Sequence, residues 1–550
     1  MKKIGFSNFR RFVEFPNLEY GPITFLVGKN NAGKSTVVKA LMLINSYLKS
    51  SNMGKLDFAG SVLEEINVIS FGRAKNKNSN SSTIKFLLQV DSFEIRIEIT
   101  GGTDDTQAKV YLLHIDDQST GFFFKLEPAE EKITIGKRQL DTQQKNGSYL
   151  QTLKEEYKKL EKQVLSLKNK NNLYEYMRHF ATLNQIKDRI DMIEQGSKMN
   201  INYNMPNNRQ EFSNDSYELS IDFNPVNRLS DIIDPILYEL TNMYVTLYNP
   251  RPKNQNNDNE WRSFNDILNP NNSKNKLSKE EYQKFMNLRG FYMDKFKIRK
   301  VFKKFTDLVL NDEIYYLGAF SSKQNTLLSI KDKTNPLAQV LHEYKQLHIE
   351  KNEASTAHTF TKKWMKELEI GDNLDIIMHA GEAYEVTITQ DNMKIPLADK
   401  GMGSIQAMLL ILRLACIIAK NESREANITV VVEEPEINLH PALQSKITDM
   451  LMHVNELKTK KEISCNIEFI IETHSEYIIR RSQVLIAENE LQTAPNSNPF
   501  VIHYFPKENP IYRIEYNTDG SLKTSFEKGF YDESSSMTLA IMRHNKNRSK

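Results

Sequence analysis

A chain of 550 residues is too long for one ordinary compact domain and implies two to four units, or one large core carrying insertions. Hydrophobic residues at 39% and charged residues at 26% allow a buried core beneath a wet surface. Lysine and arginine number 73 against 70 acids, so the formal charge of +3 excludes a wholly basic nucleic-acid binder and leaves any such affinity to local patches.

In chain order, Ile23-Thr-Phe-Leu-Val27 is a short apolar run of the kind that fills a buried parallel strand. A glycine-rich loop follows, and then a helix from Thr36 to Ile44. Residues 83–100 and 108–127 alternate apolar and polar, as in Phe93-Glu-Ile-Arg-Ile-Glu-Ile99, which predicts antiparallel strands with one solvated face. Residues 1–140 therefore read as a first lobe holding the loop and a β subdomain.

Leu150, Leu153, Tyr157, Leu160, Val164 and Leu167 fall at heptad steps. After a polar break, Leu173, Tyr176, Phe180, Leu183, Ile186, Ile190 and Ile193 form a second stripe, so 147–198 reads as an inserted helical hairpin, either protruding or lying flat on the body. Residues 250–276 are an Asn-, Lys- and Pro-rich linker. They sit inside a basic helical insertion, 220–312. Between Ser273 and Phe305 eleven basic residues face three acids, and seven aromatics (Tyr282, Phe285, Phe291, Tyr292, Phe296, Phe302, Phe305) are interleaved. Lysines neutralise phosphates and aromatics stack on bases. The plainer alternative is an amphipathic helix whose aromatics are core. The α/β pattern returns over 313–535, and 536–550 is a polar tail. Cys416 and Cys465 are too few for a disulfide framework or a cysteine zinc site and suit a reducing, cytoplasmic setting. No apolar run long enough for a membrane span is expected.

Gly28-Lys-Asn30-Asn31-Ala32-Gly33-Lys34-Ser35 fits G-x-x-x-x-G-K-[ST] between a predicted strand and helix, the setting that gives the motif its meaning. Main-chain N–H groups from Gly28 to Thr36 would cradle phosphates, Lys34 would reach the β- and γ-phosphates, and the Ser35 hydroxyl would ligate Mg2+. Ile428–Val432 is a second buried strand ending in Glu433 and Glu434. Glu433 is the expected metal-side acid, and Glu434 the group that orients or deprotonates water. A third strand ends in Thr473-His474-Ser475, whose imidazole could bond the γ-phosphate or the attacking water. Gly401-Met-Gly403-Ser404 opens an apolar helix and offers another anion-binding end. Its own half-site needs no second phosphate nest; a second subunit's nucleotide would.

This order of motifs resembles the ABC-type ATPase heads of the RecF/SMC and OLD-like group, covered by the AAA-15 and AAA-21 labels. The residues that carry it are Gly28–Ser35, Glu433-Glu-Pro-Glu-Ile-Asn-Leu-His-Pro441 and Thr473-His-Ser475, with Asn8-Phe-Arg-Arg11 and Gly529-Phe-Tyr-Asp-Glu533. The resemblance implies an α/β head with an antiparallel β subdomain that binds ATP and Mg2+ between two subunits, with Gly403 and Ser404 acting in trans and Leu439-His-Pro441 near the seam. The chain departs from the pattern in its Gly-Met-Gly-Ser-Ile-Gln signature, in Glu433 where many relatives carry Asp, and in lacking a clear glutamine loop. No Toprim-type acidic strand follows His474, and there is no His-Asn-His cluster, so no nuclease site is expected in this chain. An ATPase body without its own nuclease is similar to the Septu and retron-associated defence ATPases (PtuA). That likeness implies a separate HNH nuclease partner (PtuB-like), and in retrons a reverse transcriptase and its DNA-RNA product. The same motifs equally suit a RecF- or SMC-like repair or chromosome-maintenance ATPase.

Overall fold

The computed structural model describes residues 2–58, 68–139, 216–248, 279–318, 325–488, 498–507, 510–528, 530–532 and 536–542, with a few single positions between 154 and 187. The expected hairpin of 147–198, apart from those positions, and the linker of 250–276 lie outside the described residues.

In chain order the elements begin with β1 (Lys2–Phe9), β2 (Phe12–Tyr20), β3 (Ile23–Gly28) and α1 (Lys34–Leu48). Then come β4 (Lys55–Asp57), β5 (Thr83–Val90), β6 (Phe93–Thr100), β7 (Gln107–Asp117), β8 (Phe122–Glu127), β9 (Lys132–Lys137) and β10 (Tyr217–Asp222). All of these strands except β3 form one antiparallel sheet, in the order β10-β9-β8-β7-β6-β5-β1-β2, with β4 on β7. β6 shows why: Phe93, Ile95, Ile97 and Ile99 are buried while Arg96 between them is exposed, so one face is core and the other wet.

Helices α2 (Leu229–Tyr248) and α3 (Lys279–Asn311) cover the apolar face of that sheet. Phe302 of α3 meets Phe124 of β8 at 4.9 Å between ring centroids, and Phe305 meets Phe93 of β6 at 5.2 Å. One expectation is thereby corrected, and of the two readings of the aromatics the amphipathic helix with core rings is the one found. The segment 220–312 is not a separate helical body in its described parts, because β10 extends the first sheet and α3 shares its core. Of the interleaved aromatics, Phe291, Phe302 and Phe305 are buried, and Tyr292 stacks on Tyr244. Burying those rings stabilises the fold more than a wet stacking surface could. Phe296 alone among the aromatics with described side chains is strongly exposed.

The second half supplies β11 (Asp312–Leu317), β12 (Leu327–Ser329), α4 (Pro336–Gln346), α5 (Thr356–Glu367), β13 (Asn373–His379), β14 (Ala383–Gln390) and β15 (Met393–Pro396). It continues with α6 (Met402–Asn421), β16 (Asn427–Glu433), α7 (Pro441–Thr459), β17 (Asn466–Thr473), α8 (Glu476–Glu488), β18 (Phe500–Phe505) and β19 (Tyr512–Ile514). A six-stranded sheet runs β11-β16-β17-β3-β18-β19, parallel except for the β18–β19 pair. β3 from the first segment is thus a central strand among partners from the last, and a lobe boundary near 140 cuts across this sheet. Strands β12 to β15 form a small antiparallel sheet beside it.

The parallel sheet divides two cores. Leu26, Val431 and Ile470 face the core shared with α1 and the antiparallel sheet. Phe25, Val430 and Ile471, one residue away, face the core of α4 to α8. Strand periodicity of two explains the alternation. Helix α6 is long and apolar enough to cross a membrane by length and composition, but 72% of its most apolar window is buried here, and it packs as a core helix.

Candidate nucleotide and cation site

The phosphate loop starts where β3 ends. A side chain at Gly28 would collide with the backbone of Phe505 on β18, so only glycine lets these strands pair to their ends. Asn31 has φ 59° and Gly33 φ 103°, both left-handed, and Gly33 caps α1 against the ring of Phe12. These turns aim the first N–H groups of α1 into the cleft. Lys34 is buried; its ammonium donates to the carbonyls of Gly28 at 3.0 Å and Lys29 at 3.1 Å, with His474 Nε2 at 3.2 Å. Burial lowers its pKa, while Glu472 and Glu434 oppose the shift.

The same periodicity that divides the cores places the acids. Glu433 lies two residues after Val431, and Glu472 two after Ile470, so both project from the α1 side of the sheet, directly paired in register. Ser35 Oγ donates to both Glu472 oxygens, at 2.9 and 3.2 Å, and Lys34 Nζ lies 3.6 Å from Glu472. Burial raises the Glu472 carboxyl to about 7 against the pull of Lys34, and burial likewise raises Glu433, which is held by the Tyr316 hydroxyl.

Past Glu433 the chain turns at once. Glu434 sits at φ 47°, a strained conformation for a non-glycine residue, and its N–H donates to the Glu472 carbonyl at 2.8 Å. This turn lifts the Glu434 carboxylate to 3.7 Å from His474 Nε2. The His474 N–H donates to Glu436 at 2.7 Å, which fixes the strand end. Burial and the neighbouring Lys34 charge lower the His474 pKa, so the imidazole is neutral at pH 7, with Nε2 as acceptor toward Lys34. Lys34 is hydrogen-bonded to His474, Glu434 stands beside that imidazole without a hydrogen bond to it, and Ser35 faces the acid pair next to them.

A cleft of about 900 Å3 opens over this floor, lined by Asn31, Ala32, Gly33, Lys34, Ser35 and Thr36 with Glu433 and Glu472. Its rim is basic: Arg10, Arg11, Lys39, Arg73, Lys75 and Lys77. The turn Asn8–Arg11 is pinned to the following segment, because Arg10 N–H donates to Ala74 at 2.6 Å and Asn76 donates to Arg10 at 2.7 Å. This explains the chemistry behind Asn8-Phe-Arg-Arg11. The roles of Glu472 and of the 73–77 segment were missed; the only sequence signals were an acid just before Thr-His and a cluster of cations.

Gly403 and Ser404 stand at the start of α6 and do not line this cleft. Gly403 lies against the carbonyl of Asn438, which brings the α6 start beside the loop that runs into Leu439-His440-Pro441. His440 caps α7 by accepting from the Ala442 N–H at 3.3 Å. Phe530 packs on Tyr504 and Tyr531 on Phe530, and the Tyr531 hydroxyl donates to the Ser475 carbonyl at 3.3 Å.

The loop's main-chain donors, Lys34 and the basic rim fit a polyphosphate. The Ser35 hydroxyl and two carboxylates are an oxygen-only donor set at the loop's edge, which fits a hard divalent cation such as Mg2+. Among solved structures, the Smc head domain with an extended coiled coil bound to the C-terminal domain of ScpA, from Pyrococcus furiosus, is similar over 99% of this chain and 100% of that one, at 9% identity and a TM-score of 0.32. The SmcHead bound to the C-winged helix domain of ScpA is similar over 96% of this chain and 98% of that one, at 9% identity and the same TM-score of 0.32. No curated protein matches the sequence. The AAA-15 family profile, described as an AAA ATPase domain, matches residues 1–479, a span that runs from β1 past the His474 strand end. The chain belongs to the AAA ATPase domain family.

Proposed function

We propose that this chain is an ABC-type ATPase that binds ATP with Mg2+ and hydrolyses it slowly, as a switch. The observation that carries the reading is the grouping of Lys34, His474 and Glu434 at one strand edge beside Ser35. Lys34 leaves its loop carbonyls for the β- and γ-phosphates. Glu434 orients the attacking water and accepts its proton as the water oxygen bonds to the γ-phosphorus and the bond to ADP breaks. Once Lys34 has moved, neutral His474 in the tautomer with its proton on Nε2 donates to the γ-phosphate, or in the other tautomer accepts from that water. Mg2+, when bound, neutralises charge on the phosphate oxygens.

Two heads would close on nucleotide, with Gly403 and Ser404 of one head facing the phosphates of the other. We read the whole as a nucleotide-dependent scaffold and sensor of an anti-phage defence system of the Septu or retron kind. It would control a separate HNH nuclease of the PtuB kind and bind nucleic acid, in retrons the reverse transcriptase and its DNA-RNA product. The supports are the motif set and the exposed basic face of α3. The chemistry is tested by Glu434→Gln. Turnover should fall about 100-fold while ATP stays bound, with Lys34→Ala as the binding-deficient control. Turnover at the native rate would refute the assignment of Glu434. The biology is tested by what co-purifies with the chain: a nuclease supports the defence reading, and a replication or repair protein the chromosome-maintenance one.

A further inference from the structure

Glu472 does not belong to the acidic strand end that the ATPase reading uses, yet it sits closer to the phosphate loop than any acid there. It is only 7% exposed, accepts Ser35 Oγ on both carboxylate oxygens, and lies 3.6 Å from Lys34. Glu433 is its direct register partner on the neighbouring parallel strand. Ser35 and Lys34 are the two side chains that a nucleotide and its cation need, and in this structure one carboxylate holds both.

We propose that Glu472 is a ligand of the divalent cation, so that the site has two strand-end carboxylates, and that it makes nucleotide binding depend on that cation. Two features support this. An acid that hydrogen-bonds Ser35 Oγ is already within reach of any cation that Ser35 ligates. And without a cation its charge faces the incoming triphosphate and ties up Ser35 and Lys34. With a cation it turns to the metal, and both side chains are released. Cation and triphosphate therefore enter together, and neither is favoured alone.

The proposal rests on the ATP-site reading, and the test separates the two. In the full chain, a fluorescent ATP analogue is titrated with Mg2+ and with EDTA, and Mn2+ affinity at saturating ADP is read by electron paramagnetic resonance. Glu472→Gln should weaken Mn2+ binding about tenfold or more while strengthening cation-free nucleotide binding. Glu472→Asp, which keeps the charge on a shorter arm, should hold Mn2+ nearer the wild-type value and serves as the control for folding. A residue that merely ties Ser35 in place would not produce those opposite shifts. If Glu472→Gln binds nucleotide and its Mn2+ affinity is unchanged, the ligand assignment fails and the ATPase reading stands. If the wild-type chain binds no nucleotide under any condition, the ATPase reading itself fails.

Discussion

Gly33 shows how tightly single residues define the site. Its φ of 103° suits glycine, and an added Cβ would lie 2.6 Å from the Phe12 ring. Gly33→Ala should therefore push the loop off the β1–β2 hairpin, cost about 1–3 kcal/mol of stability, and abolish nucleotide binding in a direct titration. The loop itself was legible because its meaning is local: glycines, lysine and serine at fixed spacing between a strand and a helix. Glu433, Glu434 and His474 were legible for the same reason, as polar residues ending apolar runs. Glu472 was not. An acid within Phe-Ile-Ile-Glu-Thr says nothing until the β16–β17 register puts it beside Glu433 and the β3 pairing puts it over Ser35.

Helix α3 carries two chemistries on opposite faces. Phe291, Phe302 and Phe305 belong to the core, whereas Lys297, Arg299 and Lys300 face water around the exposed Phe296. Lys297 pairs with the buried Asp294, which Lys137 also holds, and Arg299 pairs with the exposed Asp234, each at 3.0 Å; the Arg299 pair is wet on both sides and yields readily to a phosphate. Changing Lys297, Arg299 and Lys300 together to Glu should weaken nucleic-acid binding and lower its salt slope by about one for each phosphate no longer neutralised. Unchanged binding in a filter or anisotropy assay would remove this face from the interface. Between α5 and α7 a different pairing sets a pH limit. The Trp364 indole donates to His453 Nδ1 at 2.9 Å, and burial lowers that imidazole to about 4. His503, buried with Nε2 toward the Glu19 carbonyl, is also lowered to about 4. Between the unfolded value of about 6.5 and 4, the unfolded chain binds protons that the folded one refuses, so stability falls as pH drops through that window. For the partly exposed His453 the loss at pH 5 should be on the order of 1 kcal/mol, and in urea titrations at pH 7.5 and 5 His453→Gln should remove that share of the loss and leave the share of His503. Alternation made β5 to β8 readable in the sequence; in the small β12–β15 sheet β14 alternates as clearly, with Tyr384, Val386 and Ile388 buried, but its partners β12 and β15 are too short to carry a period.

At the scale of the molecule, one parallel sheet joins both cores, and its C-terminal edge collects the loop, the acids and His474. The start of α6 lies apart from that edge, against the 438–439 loop, and neither Gly403 nor Ser404 lines the cleft. If two heads close symmetrically, each nucleotide meets Lys34 from one copy and Ser404 from the other. That geometry makes a mixing experiment decisive. Lys34→Ala and Ser404→Arg chains should each be inactive alone, because every site in either homodimer carries a defect. In a mixed dimer both defects fall on one site and the other site is intact. Equimolar mixing with random exchange should then restore about a quarter of the wild-type hydrolysis rate, provided the sites act independently. No recovery, although mixed dimers are present by mass measurement, would place Ser404 and Lys34 in the same site or in none.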